Sequence, residues 1–172
     1  RIQKNNNDLN AHIFLVNLLL QTNQIKEAEE ALKTIISSHP DNLELKCLTE
    51  RIKLKIGDRQ SAIKFIQNTL NSNPTDASTY LKLGNLCTEI EDHTTAIELF
   101  EKYLEISPAN ADVIATIAIC YARLGRLESA IIGLRAALKL DPTCHYASQN
   151  LISLENKFKN QPAANLKNEI PV

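Results

Sequence analysis

Cys144 and His145 stand side by side in the sequence, a thiol and an imidazole, the types of group that a covalent mechanism uses as nucleophile and base. Adjacency along a chain is not the geometry such a mechanism needs, and the pair falls at a boundary between sequence repeats, so a boundary thiol is the favoured reading. The other imidazoles, His12, His39 and His93, have no Cys or carboxylate at metal-ligand spacing. Cys47, Cys87, Cys120 and Cys144 form no CxxC pair and keep no regular spacing, so neither a zinc site nor a disulfide framework is indicated. Only four glycines occur, and no Walker or dinucleotide pattern appears, which argues against a phosphate-cradling loop. Glu29 and Glu30 fall on a polar helix surface, where Glu serves solubility and pairing. The expectation is a chain without catalytic residues, metal or cofactor.

The elements that would position any site follow from composition and period. Of 172 residues, 44% are hydrophobic but only 5% aromatic, with no Trp, a profile that suits helices packed on helices. Lys and Arg number 19 against 20 Asp and Glu, with no block of like charge, so nucleic acid and membrane surfaces are not indicated as partners. No apolar run approaches the ~18 residues of a membrane span. Cysteines outside any disulfide framework favour a reducing, cytoplasmic compartment. The sequence holds no Met, even at its first position, which suggests a piece of a longer precursor.

Pro40, Pro74, Pro108 and Pro142 are spaced 34 residues apart, and so are Ala28, Ala62, Ala96 and Ala130. The two series define windows at 9–42, 43–76, 77–110 and 111–144, preceded by 1–8 as the remnant of an earlier repeat or a flank. Residues 145–159 read as a capping helix with Leu151, Ile152, Leu154 and Phe158 apolar, and 160–172 as a disordered tail. Each window reads as helix, break, helix. Gly57 and Gly125 mark two of the breaks, and Asn23 and Glu91 fill the equivalent places in the others. Each repeated Ala is followed four residues on by a larger apolar residue, Leu32, Ile66, Phe100 or Leu134, as expected where two helices approach closely. One helix departs from the pattern. Over 43–56 the places that should face its partner helix are Lys46, Thr49, Glu50 and Lys53, and the apolar stripe is rotated to Leu45, Leu48, Ile52 and Ile56.

This grammar resembles the tetratricopeptide repeat (TPR) family, most fully in Tyr80, Leu83, Gly84, Ala96, Phe100 and Pro108, and again in Ile114, Ile117, Ala118, Tyr121, Ala130 and Leu134. The resemblance covers 9–144. It implies an all-α fold, an α-solenoid of antiparallel helix pairs coiled into a right-handed superhelix, in which the first helix of each pair lines a concave groove. The groove places are then Ile13, Phe14, Asn17 and Leu20; Cys47, Leu48, Arg51, Leu54 and Lys55; Leu81, Lys82, Asn85, Thr88 and Glu89; and Ala115, Thr116, Ile119 and Arg123.

Within them Phe14, Leu20, Leu48 and Leu54 form an apolar strip, and Arg51, Lys55 and Lys82 a basic cluster. Arg51 and Lys55, four residues apart on one helix face, repel unless an anion sits between them. Asn17 and Asn85 are placed to bond a peptide backbone. The competing reading is solvated surface cations beside a rotated helix seeking its core. The family's clamp for chaperone C-termini, made of Lys, Asn, Asn, Lys and Arg, is not reproduced: its places hold Ile13, Asn17, Leu48, Ser78 and Lys82. The asparagine ladder of the sugar-transferase relatives also fails, as Phe14, Leu48, Lys82, Thr116 and Asn150.

Three functions are expected from this. The first is an adaptor that binds a protein or peptide, acidic with an apolar anchor, through Phe14, Asn17, Leu48, Arg51, Lys55, Lys82 and Asn85. The second is the non-catalytic arm of a larger enzyme such as a transferase. The third is a homo-oligomer formed through the N-terminal face at Ile13, Phe14 and Leu20.

Overall fold

Proline lacks a backbone N–H and keeps its predecessor out of the α region, so a proline every 34 residues ends helices at a fixed interval. The computed structural model describes residues 2–159, with side chains described from 8 to 157. Among the described residues are nine helices and no strand: α1 (Ile2–Gln21), α2 (Ile25–Ile36), α3 (Leu43–Lys55), α4 (Arg59–Asn71), α5 (Ala77–Glu89), α6 (His93–Ile106), α7 (Ala111–Arg123), α8 (Leu127–Leu140) and α9 (His145–Lys159). The chain is an all-α helical repeat. Helices α2, α4, α6 and α8 begin 34 residues apart, and so do α3, α5, α7 and α9. Helix α1 departs from this interval, starting at Ile2 rather than near Leu9. Asn6 holds the place where the repeat would put proline, so nothing breaks the helix there. Residue 1 and the expected tail at 160–172 lie outside the described residues, as does the side chain of Phe158.

The breaks inside the pairs share one geometry. Asn23, Gly57, Glu91 and Gly125 all have positive φ, at 60°, 94°, 60° and 82°. The residue after each donates its N–H back across the turn, Gln24 to Leu19, Asp58 to Lys53, Asp92 to Cys87 and Arg126 to Tyr121, at 2.8–2.9 Å. This is the Schellman closure, which satisfies carbonyls left open at a helix end. Helix starts repeat as well. Asn42, Asp76 and Asn110 accept the N–H of the residue three further on, Leu45, Thr79 and Val113. At the equivalent place before α9, Cys144 Sγ accepts from Ala147 N at 3.4 Å and donates to Asp112 Oδ1 at 3.3 Å.

The described residues divide into two compact units, with the boundary between Tyr103 and Leu104 near the end of α6. In the first, Val16 and Leu20 of α1, Ala28, Leu32 and Ile35 of α2, and Leu45, Leu48 and Ile52 of α3 form one core. In the second, Ala115, Ala118, Ala130, Leu134, Ala137, Ala147 and Leu154 form another. Each large aliphatic side chain so buried contributes roughly 1.5–3 kcal/mol. All four repeated alanines are fully buried, and Leu32, Ile66, Phe100 and Leu134 are buried as well.

The rotated stripe of α3 divides. Leu45, Leu48 and Ile52 turn to α1 and α2, but Ile56, in the turn after the helix, is 71% exposed. Within the polar stripe, Lys53 Nζ donates to both Glu50 Oε1 at 2.8 Å and Ser61 Oγ of α4 at 2.9 Å.

Candidate partner-binding groove

An i, i+4 rhythm on α3 and α5 carries their polar residues to one side, where the two helices enclose a cleft of about 360 Å³. Its walls include Glu44, Cys47 and Arg51 from α3, and Leu81, Lys82, Asn85, Thr88 and Glu89 from α5. A neighbouring cleft of about 420 Å³ shares Glu44 and Lys82 and is completed by Leu9, Asn10 and Ile13 of α1 and Asn42 and Leu43 at the start of α3. Both volumes suit a few side chains of a peptide.

Arg51 is the hub. Its Nη1 donates to Asn17 Oδ1 on α1, and its Nε lies 2.6 Å from Glu89 Oε1 on α5, in ion-pair contact but off the N–H direction. Lys82 Nζ lies 3.4 Å from Glu44 Oε2 and donates to Ser78 Oγ at 3.2 Å. In both ion pairs the partners are 38 residues apart, one repeat plus about one helical turn, which sets them side by side on neighbouring first helices. Half-exposed pairs of this kind contribute about 1 kcal/mol or less each.

Of the sequence-derived site, Arg51, Lys82 and Asn85 meet around the cleft. Asn17 reaches it only through Arg51, and its Nδ2 donates to the Ile13 carbonyl of its own helix at 3.0 Å. Lys55 is exposed but does not line the cleft. Leu48 requires correction: it is fully buried in the core with α1 and α2, because the rotated stripe of α3 needs it there. Leu20 is in the same core, which leaves Phe14, 69% exposed, as the apolar residue of the strip that α1 presents to solvent. On α7, Ala115 is buried and Ile119 packs against the second core. Sequence reasoning did not assign Glu44 or the pairing role of Glu89. The recurring 38-residue offset of opposite charges is the signal that carried them. The anion that Arg51 called for is supplied internally.

The thiols are quiet. Burial pushes the Cys47 thiol up to about 12, helped by Glu44 and opposed by Lys82 and Arg51. Burial likewise raises Cys144, whose sulfur caps α9 and turns to Asp112 rather than to His145.

Two family models, both described as tetratricopeptide repeat, match residues 2–52 with 90–152 and residues 51–111. Similar proteins include sperm-associated antigen 1 of Mus musculus, 28% identical over 112 residues, 64% of this chain and 12% of that protein. BBSome complex member BBS4 of Bos taurus is 34% identical over 82 residues, 48% of this chain and 16% of that protein. The PEX5-related protein of Homo sapiens is 29% identical over 94 residues, 55% and 15%. The chain thus spans 12% to 16% of the length of these curated relatives. Among solved structures, a thermophilic TPR protein of Thermus thermophilus superposes with a TM-score of 0.66 at 19% identity, over 90% of this chain and 85% of that one. The APC/C hetero-tetramer Cut9–Hcn1 gives 0.61 at 25% identity, over 83% and 29%.

Proposed function

The chain belongs to the tetratricopeptide repeat family, and from that premise we propose that it is a non-catalytic scaffold holding a segment of another protein against α1, α3 and α5 of its first unit. The reading divides it into repeats at 9–42, 43–76, 77–110 and 111–144 with a capping helix behind them. The observation that carries it is the cleft between α3 and α5, whose two cations, Arg51 and Lys82, are each held by a glutamate of the neighbouring helix. A partner carboxylate exchanges for Glu89 or Glu44 at little net cost, because one ion pair replaces another. Leu9, Ile13 and Leu81 supply the apolar anchor that Leu48 cannot. Membership of BBS4 in a complex, and of Cut9–Hcn1 in a hetero-tetramer, supports a role in assembly. Cys47, Cys120 and Cys144, held as thiols, support a reducing, cytoplasmic setting. Among the described residues no helix is long and apolar enough to cross a membrane.

Calorimetric titration with acidic, leucine-containing peptides at low and high salt tests the proposal. Binding that weakens with salt, disappears in Arg51→Ala/Lys82→Ala and tightens in Glu89→Gln supports it. Equal binding by the wild type and the double variant overturns it.

A specific observation favours self-association as a second reading: Phe14, Leu15 and Leu18 of α1 are all exposed. This face replaces the one expected from Ile13 and Leu20, which are partly or fully buried. Sedimentation equilibrium of the wild type against Phe14→Ser/Leu18→Ser decides it, a monomer in both sinking the idea.

A further inference from the structure

Helix α4 is bonded to α3 through Ser61 and Lys53, and the polar stripe of α3, Lys46, Thr49, Glu50 and Lys53, takes the places held in α5 by Tyr80, Leu83, Gly84 and Cys87 and in α7 by Ile114, Ile117, Ala118 and Tyr121. The consequence is visible in α4 itself, which buries only Ala62 and Ile66 among its described side chains. Helix α6 buries Ala96, Ile97, Leu99 and Phe100. Glu50, bonded at Oε1 by the same Lys53 that holds Ser61, is 6% exposed, and its Oε2 has no hydrogen-bond partner. A buried carboxylate oxygen without a donor destabilises the interface that covers it.

Helix α4 also leaves apolar side chains around it uncovered. A cleft of about 360 Å³ separates Ile63, Ile66 and Leu70 of α4 from Cys87 and Ile90 at the end of α5 and Thr95 of α6. A second, of about 200 Å³, lies over Leu32 and Ile36 of α2, Ile52 of α3 and Ile56 in the turn before α4, and no α4 residue covers it. On the first cleft Ile63 and Leu70 stay only partly buried, so they contribute less of the burial energy that holds a helix down.

We propose that α4 is a built-in opening element: it detaches locally from α3, admitting water to Glu50, while α1, α2, α3 and α5 stay assembled. Helix α3 keeps its place because Leu45, Leu48 and Ile52 anchor its opposite face. The groove survives the opening because no α4 residue lines it. Regions with few buried apolar contacts open at the low end of the local stability range, which is where moving elements are drawn from. The device is independent of whether a peptide binds the groove.

Native-state amide hydrogen exchange on the full chain tests it. In the wild type, the α4 amides exchange at least about ten-fold faster than those of α2 and α6. In Glu50→Ala/Lys53→Leu, which gives α3 a small residue where Gly84 and Ala118 stand and an apolar one where Cys87 and Tyr121 stand, α4 exchange slows about ten-fold relative to α2. Exchange of α4 at the rate of α2 and α6 in the wild type overturns the proposal, and so does an unchanged ratio in the double variant. If that variant does not fold, the wild-type ratio alone decides the matter, since equal rates leave no opening to explain.

Discussion

Gly84 and Phe100 are in contact so close that a Cβ built on Gly84 would lie 2.6 Å from Phe100 Cε1. One repeat later Ala118 holds the equivalent place, and there the room is made by Gly133, whose own added Cβ would lie 2.8 Å from Ala118 Cβ. The same helix approach is achieved by two different distributions of small and large side chains. Gly84→Ala must therefore push aside a fully buried ring, and we expect a loss of roughly 1–3 kcal/mol. Thermal unfolding reads it, and Gly84→Ala/Phe100→Leu recovers part of the loss. A Gly84→Ala variant as stable as the wild type contradicts the close approach.

Glu91 and Gly57 occupy equivalent turns in left-handed backbone, at φ 60° and 94°. An L side chain is strained there by roughly 1–2 kcal/mol, so Glu91→Gly raises stability by about 0.5–1 kcal/mol once the looser unfolded chain is counted. Gly57→Ala goes the other way by about 1 kcal/mol, even though nothing lies within 4 Å of the added carbon. Urea midpoints of the two variants should move in opposite directions.

Both residues show what the sequence made legible. The 34-residue period, the four turn residues and the buried alanines are local or strictly periodic signals, so they survive into the fold unchanged. The groove was less readable, because its chemistry depends on how one first helix lies beside the next. Glu44 and Glu89 meet Lys82 and Arg51 only once the repeat interval is combined with a helical turn. Leu48 fits a groove place by repeat position, yet the polar stripe of α3 forces it into the core. Cys144 shares the 34-residue interval of Asn42, Asp76 and Asn110, but its residue type hides its capping role.

That role is measurable. Cys144→Ala removes the acceptor for Ala147 N and the contact with Asp112, and it should cost about 0.5–1 kcal/mol, near the lower end of a capping loss because sulfur accepts weakly. Asn110→Ala, which strips an amide cap bonded to Asp112 N and Val113 N, costs about 1 kcal/mol or more. Denaturant unfolding of the pair ranks the two caps, and the reverse order would refute the assignment.

Alkaline pH should destabilise the protein through its buried thiols. Burial raises Cys47 from an ordinary 9.0 to about 12 and Cys120 to about 11. Above about pH 9 the unfolded chain releases these protons while the folded chain keeps them, so the unfolded state binds fewer protons and stability falls as pH rises toward the folded values. Below pH 9 the contribution is fully present. Unfolding midpoints between about pH 8 and 10.5 should decline in the wild type and decline less in Cys47→Ala/Cys120→Ala. Parallel slopes would show that the thiols do not titrate differently on folding.

Leu48 and Lys55 separate core from surface on the same helix. Leu48 has no exposed area and packs with Val16, Leu20, Leu32 and Ile35, so Leu48→Ala should cost roughly 2–5 kcal/mol by leaving a cavity that α1 and α2 cannot close. Lys55 is exposed and outside both groove clefts, so Lys55→Ala should stay within about 0.5 kcal/mol of the wild type and leave peptide affinity unchanged. Arg51→Ala makes the third member of the set. It releases Asn17 and Glu89 at once, lowering stability modestly but abolishing peptide binding. Chemical unfolding and calorimetry on the three variants give this pattern only if Leu48 belongs to the core and Arg51 to the groove. A stable Leu48→Ala protein that had lost binding would return Leu48 to the site and reverse the orientation assigned to α3.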